Sequence, residues 1–97
     1  MSNLINLALV GASGVVGKKI ISLLENKNIE INNFYPLGSS SVGDEIVFNN
    51  NTYLIEDMAN FDCSKVNLAI FSAGSKVAEE YAKDFVKAGA FVIDLSS

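Results

Sequence analysis

The sequence predicts a doubly wound α/β fold, a mostly parallel sheet forming an incomplete single domain over residues 1–97. Three observations carry this expectation. Leu7–Gly17 reads LALVGASGVVG, an apolar run that ends in three closely spaced glycines and passes at once into an amphipathic run. Further apolar runs alternate with helix-period segments to the end of the chain. The runs close on short polar or glycine-bearing stretches: Gly11–Gly17, Ser39–Ser41, Ser72–Gly74 and Asp94–Ser97. In such sheets ligands bind beyond the carboxyl ends of the strands, so these four stretches are expected to meet on one edge.

Leu4–Val10 is almost continuously apolar, as a parallel strand buried on both faces requires. The next helix is expected from about Gly14 to Lys27. Val16, Ile20, Leu23 and Leu24 form its apolar stripe, with Lys18, Lys19, Ser22 and Glu25 toward water. Ser13 is placed to cap its start, and Asn28 to end it in a left-handed turn. A short strand follows at Phe34–Leu37, where Pro36 argues against a central, fully bonded position. Glu45–Phe48 and Thr52–Ile55 flank Asn49-Asn50-Asn51 as a hairpin. A polar connection leads to a buried strand at Val66–Phe71. A second helix spans about Lys76 to Ala88, with Val77, Tyr81 and Phe85 facing inward and Gly89 as its stop. Ala90–Leu95 is the last strand.

Composition excludes several classes of function. The chain has 97 residues, 49% of them apolar, enough for one folded core. Its formal charge is -4, and its seven basic residues are all lysines spread from Lys18 to Lys87. No basic stripe exists to neutralise a nucleic-acid backbone. Cys63 is the single cysteine, which excludes an internal disulfide and fits a reducing cytoplasm. The N-terminus lacks a signal-peptide pattern, and no apolar run is long enough to cross a membrane. Without histidine the chain lacks the commonest general base and a common metal ligand, so no metal site is expected.

The glycine turn carries the clearest chemistry. A strand that turns on glycines into a helix points free N–H groups and the positive helix end at one spot, a cradle for pyrophosphate. Gly11, Ser13, Gly14, Val15, Val16 and Gly17 are its candidate residues; the spacing G-x-x-G-x-x-G also suits a purely structural turn. At the end of the second strand a site selective for NAD usually places Asp or Glu. This chain offers Ser39, Ser40 and Ser41, which suit a 2′-phosphate and hence NADP, or simply a turn. Asp44 and Glu45 would repel that phosphate if they faced it. Ser72, Ala73 and Gly74 sit where a cofactor would pack, and Ser72 or Ser75 could instead cap the helix. Cys63 has no evident base and reads as an ordinary residue, as do Tyr81 and Asp94.

With these residues in place, the sequence resembles the N-terminal cofactor domain of the aspartate-semialdehyde dehydrogenases over essentially its whole length. Gly11–Gly17 (GASGVVG) is similar to the family's G-A-T-G-x-V-G, with Ser13 in the threonine position. Pro36–Ser41 resembles its L-A-S-x-R-S loop, Leu68–Ser75 its A-L-F-S-A-G-S stretch, and Val92–Ser97 its V-I-D-N-S-S. The resemblance implies an NADP-binding domain of an oxidoreductase in lysine, threonine and methionine biosynthesis. In that family a cysteine thiolate, hydride transfer and inorganic phosphate interconvert aspartate semialdehyde and aspartyl phosphate. The serine loop here lacks the family's arginine, and Leu95 replaces the asparagine before the serine pair. The second departure matches the I-D-L-S of a related family, the N-acetyl-glutamyl-phosphate reductases.

The resemblance places the nucleophilic cysteine, the histidine base and the substrate arginines beyond Ser97. No residue of this chain is therefore expected to be catalytic. The expected partners are the small-molecule cofactor and a missing catalytic domain of the same protein, through which the full-length family is homodimeric. A stand-alone nucleotide-binding module, from a different functional class, is the remaining alternative.

Overall fold

The computed structural model describes residues 4–72 and 74–95, apart from the side chain of Ser75. Five strands form one wholly parallel sheet: β1 (Asn6–Val10), β2 (Asn33–Gly38), β5 (Glu56–Asp57), β6 (Leu68–Phe71) and β7 (Phe91–Asp94), in the order β5-β2-β1-β6-β7. Helix α1 (Val15–Asn26) joins β1 to β2, and α2 (Ser75–Lys87) joins β6 to β7. Strands β3 (Glu45–Phe48) and β4 (Asn51–Leu54) form a separate antiparallel hairpin between β2 and β5. From β1 the chain winds outward through β2 to β5, then returns to β1's other side for β6 and β7. Because parallel crossovers are right-handed, this reversal puts the two connections on opposite faces.

The packing shows both faces. Leu7 and Leu9 of β1 point to α1 and the hairpin, in a cluster with Ile21, Phe34, Ile46, Phe48, Ile55 and Ile70. Ala8 and Val10 point the other way, to α2, with Leu37, Met58, Phe71, Ala78 and Phe85. Leu7 to Val10 are at most 1% exposed, as expected for the central strand of a doubly covered sheet. Phe34 stacks on Phe48 with ring centroids 4.6 Å apart, and Phe71 meets Phe85 edge-on at 5.6 Å. The hairpin thus does on one face what a crossover helix would do.

Several expectations are corrected. The buried residues of α1 are Gly17 and Ile21, with Ile20 and Leu24 partly buried, whereas Val16 and Leu23 are exposed. The stripe is rotated because Gly17, having no side chain, lets the helix approach the turn. Glu25 does not simply face water: its carboxylate accepts a 2.8 Å hydrogen bond from the Asn49 amide at the hairpin tip. That tip is a two-residue turn, Asn49-Asn50 at φ 50° and 66°, and Asn51 already pairs with Phe48. Two left-handed residues give the twist that a tight hairpin needs, and asparagine tolerates them.

Pro36 lies in a strand with neighbours on both sides. Leu37 turns its carbonyl to β1, accepting from Gly11 N at 2.9 Å, so strand alternation turns Pro36's nitrogen the other way. There β5 pairs only with Leu37 and Gly38, and no ladder bond is lost. The polar connection holds β5 and two 3-10 turns, Met58–Asn60 and Cys63–Lys65, capped by the carboxylates of Asp57 and Asp62. Asn28 takes φ 52° and Gly89 φ 94° at the helix ends, as expected. Neither α1 nor α2 has a side-chain cap; Gly14 and Gly74 occupy those positions. At the amino ends of the strands, Asn6 Oδ1 accepts from Asn32 and Asn33, and Asn67 Oδ1 accepts from Asn6 N, fixing the register of β1, β2 and β6.

Candidate functional site

The turn after β1 is built by its glycines and its neighbours. Gly11 takes φ 86°, a conformation that costs glycine little, and swings the chain out of the sheet. Its carbonyl accepts from Gly14 N at 3.1 Å, and Gly14, at φ -76° and ψ 172°, starts the helix. The Lys18 N–H donates to Gly14 O at 3.0 Å. The amides of Val15, Val16 and Gly17 precede that bond and have no partner within the helix. They share the positive end of α1, above the point where strand order reverses between β1 and β6. A Cβ on Gly17 would lie 2.3 Å from Gly11 O, so only glycine lets helix and turn approach this closely.

The other predicted stretches meet this turn. The exposed Ser13 hydroxyl lies 3.2 Å from that of Ser41, its hydrogen-bond partner, and so does not cap α1. Ser39 and Ser40 are exposed beside it, and Ser41 is half-buried. The loop is tight: a Cβ on Gly38 would come within 2.7 Å of Ser41 Oγ, and Asp44 N donates to Ser41 O at 3.0 Å. Asp44 and Glu45 are both exposed. Ser72 reaches the turn from β6, its hydroxyl 2.9 Å from Val10 O and 3.2 Å from Gly11 O. Gly74 takes φ 119° before α2. Ala73, and Ser96 and Ser97 at the end of the fourth stretch, lie outside the described residues. Leu95 N donates to Phe71 O at 2.8 Å, which sets Asp94 at the same end of the sheet.

Beside the serine loop, on the α2 side, a small apolar cleft is lined by Val10, Gly38, Ser39, Met58, Val77 and Tyr81. Tyr81 therefore borders this end of the sheet as well as packing against the core. Desolvation there, then the carboxylates of Glu80, Asp57 and Asp84, hold its phenol above the usual value. Such surroundings favour a neutral group over an anion in the cleft, while the positive helix end favours an anion at the turn. Sequence reasoning missed Gly38, Met58 and Val77 here. Met58 follows a two-residue strand with no periodicity to announce it, and Val77 reads as core. Cys63 is half-buried, and burial, then Asp84 and Asp62, push its thiol up, the reverse of what a nucleophile needs. No helix among the described residues is long and apolar enough to cross a membrane.

Comparison with known proteins supplies the context. The family model for the semialdehyde dehydrogenase, NAD binding domain, matches residues 6–97. The chain is 47% identical to an aspartate-semialdehyde dehydrogenase of Legionella pneumophila, over 100% of this chain and 28% of that protein. Among solved structures, a probable aspartate-semialdehyde dehydrogenase from Pseudomonas aeruginosa superposes with a TM-score of 0.92 at 35% identity, covering 97% of this chain and 28% of that one. Aspartate semialdehyde dehydrogenase II of Vibrio cholerae, solved with ASA, gives 0.91 at 32%, covering 95% and 30%. The chain thus spans under a third of the length of these relatives. A glycine turn at the switch point of a parallel sheet, within a family match over residues 6–97, leads to one conclusion: the chain belongs to the nicotinamide-dinucleotide-binding domain family of the semialdehyde dehydrogenases.

Proposed function

We propose that this chain is the cofactor domain of an aspartate-semialdehyde dehydrogenase, and that it binds NADP. The observation that carries the reading is the convergence of the glycine turn, the serine loop and Ser72 at the carboxyl ends of β1, β2 and β6. The open amides of Val15, Val16 and Gly17 suit the pyrophosphate. The paired hydroxyls of Ser13 and Ser41, with Ser39 and Ser40 beside them, suit a 2′-phosphate. The apolar cleft suits the flat face of the adenine, and Gly74 completes the rim. Bound in its reduced form, NADPH, the cofactor would supply the hydride that takes the acyl group of aspartyl phosphate to the aldehyde, with release of NADP+ and inorganic phosphate. This chain's share is to hold the cofactor; a further domain of the same protein carries the nucleophile, its base and the substrate arginines. Leu95 favours the N-acetyl-glutamyl-phosphate reductases as the second reading, and the relatives named above favour the first.

Calorimetric titration of the chain with NADP and with NAD tests the cofactor. The serine hydroxyls bond a charged group in NADP alone, which is expected to tighten its binding roughly tenfold over NAD. Equal affinities would remove the 2′-phosphate from the reading, and no binding of either would remove the cofactor.

A further inference from the structure

Ser72 stands where a cofactor contact is expected, yet its hydroxyl is turned inward. It has one proton, and the two oxygens near it are carbonyls of the strand that feeds the turn: Val10 O at 2.9 Å and Gly11 O at 3.2 Å. A proton shared between these carbonyls is not available to a phosphate. The hydroxyl would show an anion only lone pairs, which repel it. The Ser72 amide also donates to Val10 O, at 2.9 Å, so this residue grips the end of β1 twice.

What it grips needs gripping. Gly11, at φ 86°, is the most conformationally free type of residue in a position that fixes everything after it. Its carbonyl receives Gly14 N at 3.1 Å and lies against Gly17, where a Cβ would come within 2.3 Å. If that carbonyl swings, the start of α1 and its open amides swing with it. On the opposite side Gly11 N is held by Leu37 O at 2.9 Å, so β2 fixes the amide and Ser72 fixes the carbonyl.

We infer that Ser72 is a positioning residue for the dinucleotide site: it locks the Gly11 carbonyl and so aims the amides at the start of α1, without touching the cofactor. The inference rests on the cofactor reading above for its functional consequence, and on the hydrogen bonds alone for its structural part.

The test compares Ser72→Ala and Ser72→Thr with the parent 97-residue chain. Amide exchange of Gly14 and Leu9 is followed by NMR without ligand, and NADP and adenosine 2′-monophosphate, which lacks the pyrophosphate, are titrated. Loss of one hydrogen bond is expected to speed Gly14 exchange roughly fivefold in Ser72→Ala and leave Leu9 within about twofold. NADP affinity falls by a similar roughly fivefold factor, adenosine 2′-monophosphate affinity holds, and Ser72→Thr restores both properties. Unchanged Gly14 exchange overturns the inference; with weakened NADP binding it assigns a direct contact instead. Equal acceleration at Gly14 and Leu9 also overturns it, as general loosening. Should Ser72→Ala fail to fold, Ser72→Cys repeats the test, keeping the size and giving up the strong donor. Absence of any NADP binding by the parent chain sinks the cofactor reading only, and Gly14 exchange still decides whether Ser72 holds the turn.

Discussion

A carbon added at Gly17 would lie 2.3 Å from Gly11 O and 2.8 Å from Ala12 O, backbone atoms that cannot step aside. At Gly14 the nearest obstacle is Gly11 O at 3.5 Å, an ordinary contact. Gly17→Ala is therefore expected to lower stability by about 1–3 kcal/mol, and Gly14→Ala to stay within about 0.5 kcal/mol, by urea unfolding. Equal effects would contradict the crowding. The titrating residues predict an alkaline fall in stability. Burial, then Asp84 and Asp62, raise the Cys63 thiol in the folded state, so the native chain holds that proton more tightly than the unfolded one. That contribution is present at neutral pH and is lost as pH rises through the folded value. The urea midpoint should decline above about pH 8.5, and less so in Cys63→Ser. The glycine triplet was legible from its place between a strand and a helix, although only Gly11, at φ 86°, and Gly17, crowded by Gly11 O, require glycine. Ser72 was not, because a serine at a strand end reads equally as a cap, a ligand or a clamp.

Among the elements, strands and helices were legible from periodicity, while their facing was less so. Helix α1 reads as a stripe through Val16 and Leu23, yet it buries Gly17 and Ile21. A hydropathy pattern gives no weight to a glycine that packs by absence. Strand β5 escaped notice because two residues carry no period, whereas the hairpin was legible from the asparagines between its two short arms. The contact between these elements is testable. Glu25 Oε2 accepts from Asn49 N at 2.8 Å, tying the hairpin tip to the last turn of α1. Glu25→Ala should cost about 0.5–1.5 kcal/mol and speed exchange of the Asn49 amide beyond that of its hairpin neighbours. An unaltered Asn49 rate would show the tie to be without effect in solution.

At the scale of the molecule, one sheet carries two cores. Phe71 and Phe85 centre the α2 face; Phe34 and Phe48 centre the other. The proposed ligand edge lies where both faces end, and residues from three separate stretches meet there. The proposed division of labour fits the same geometry: the carboxyl end of the sheet suits a dinucleotide, and among the described residues the one thiol, Cys63, is pushed up rather than readied for attack. On the proposed function, the chain alone with aspartate semialdehyde, phosphate and NADP should give no turnover above background, measured as absorbance of the reduced nicotinamide. Turnover by the chain alone would place a nucleophile within these 97 residues and refute the division.

The clamp from Ser72 to Val10 spans 62 positions of sequence. Seen during synthesis, this orders events. A chain leaving the ribosome presents its glycine turn well before β6, and β2 can seat beside β1 soon after. The second edge of β1 stays bare until β6 emerges. The glycine turn is thus made well before the residue that clamps it, and a nascent chain short of residue 72 carries the glycines without that clamp.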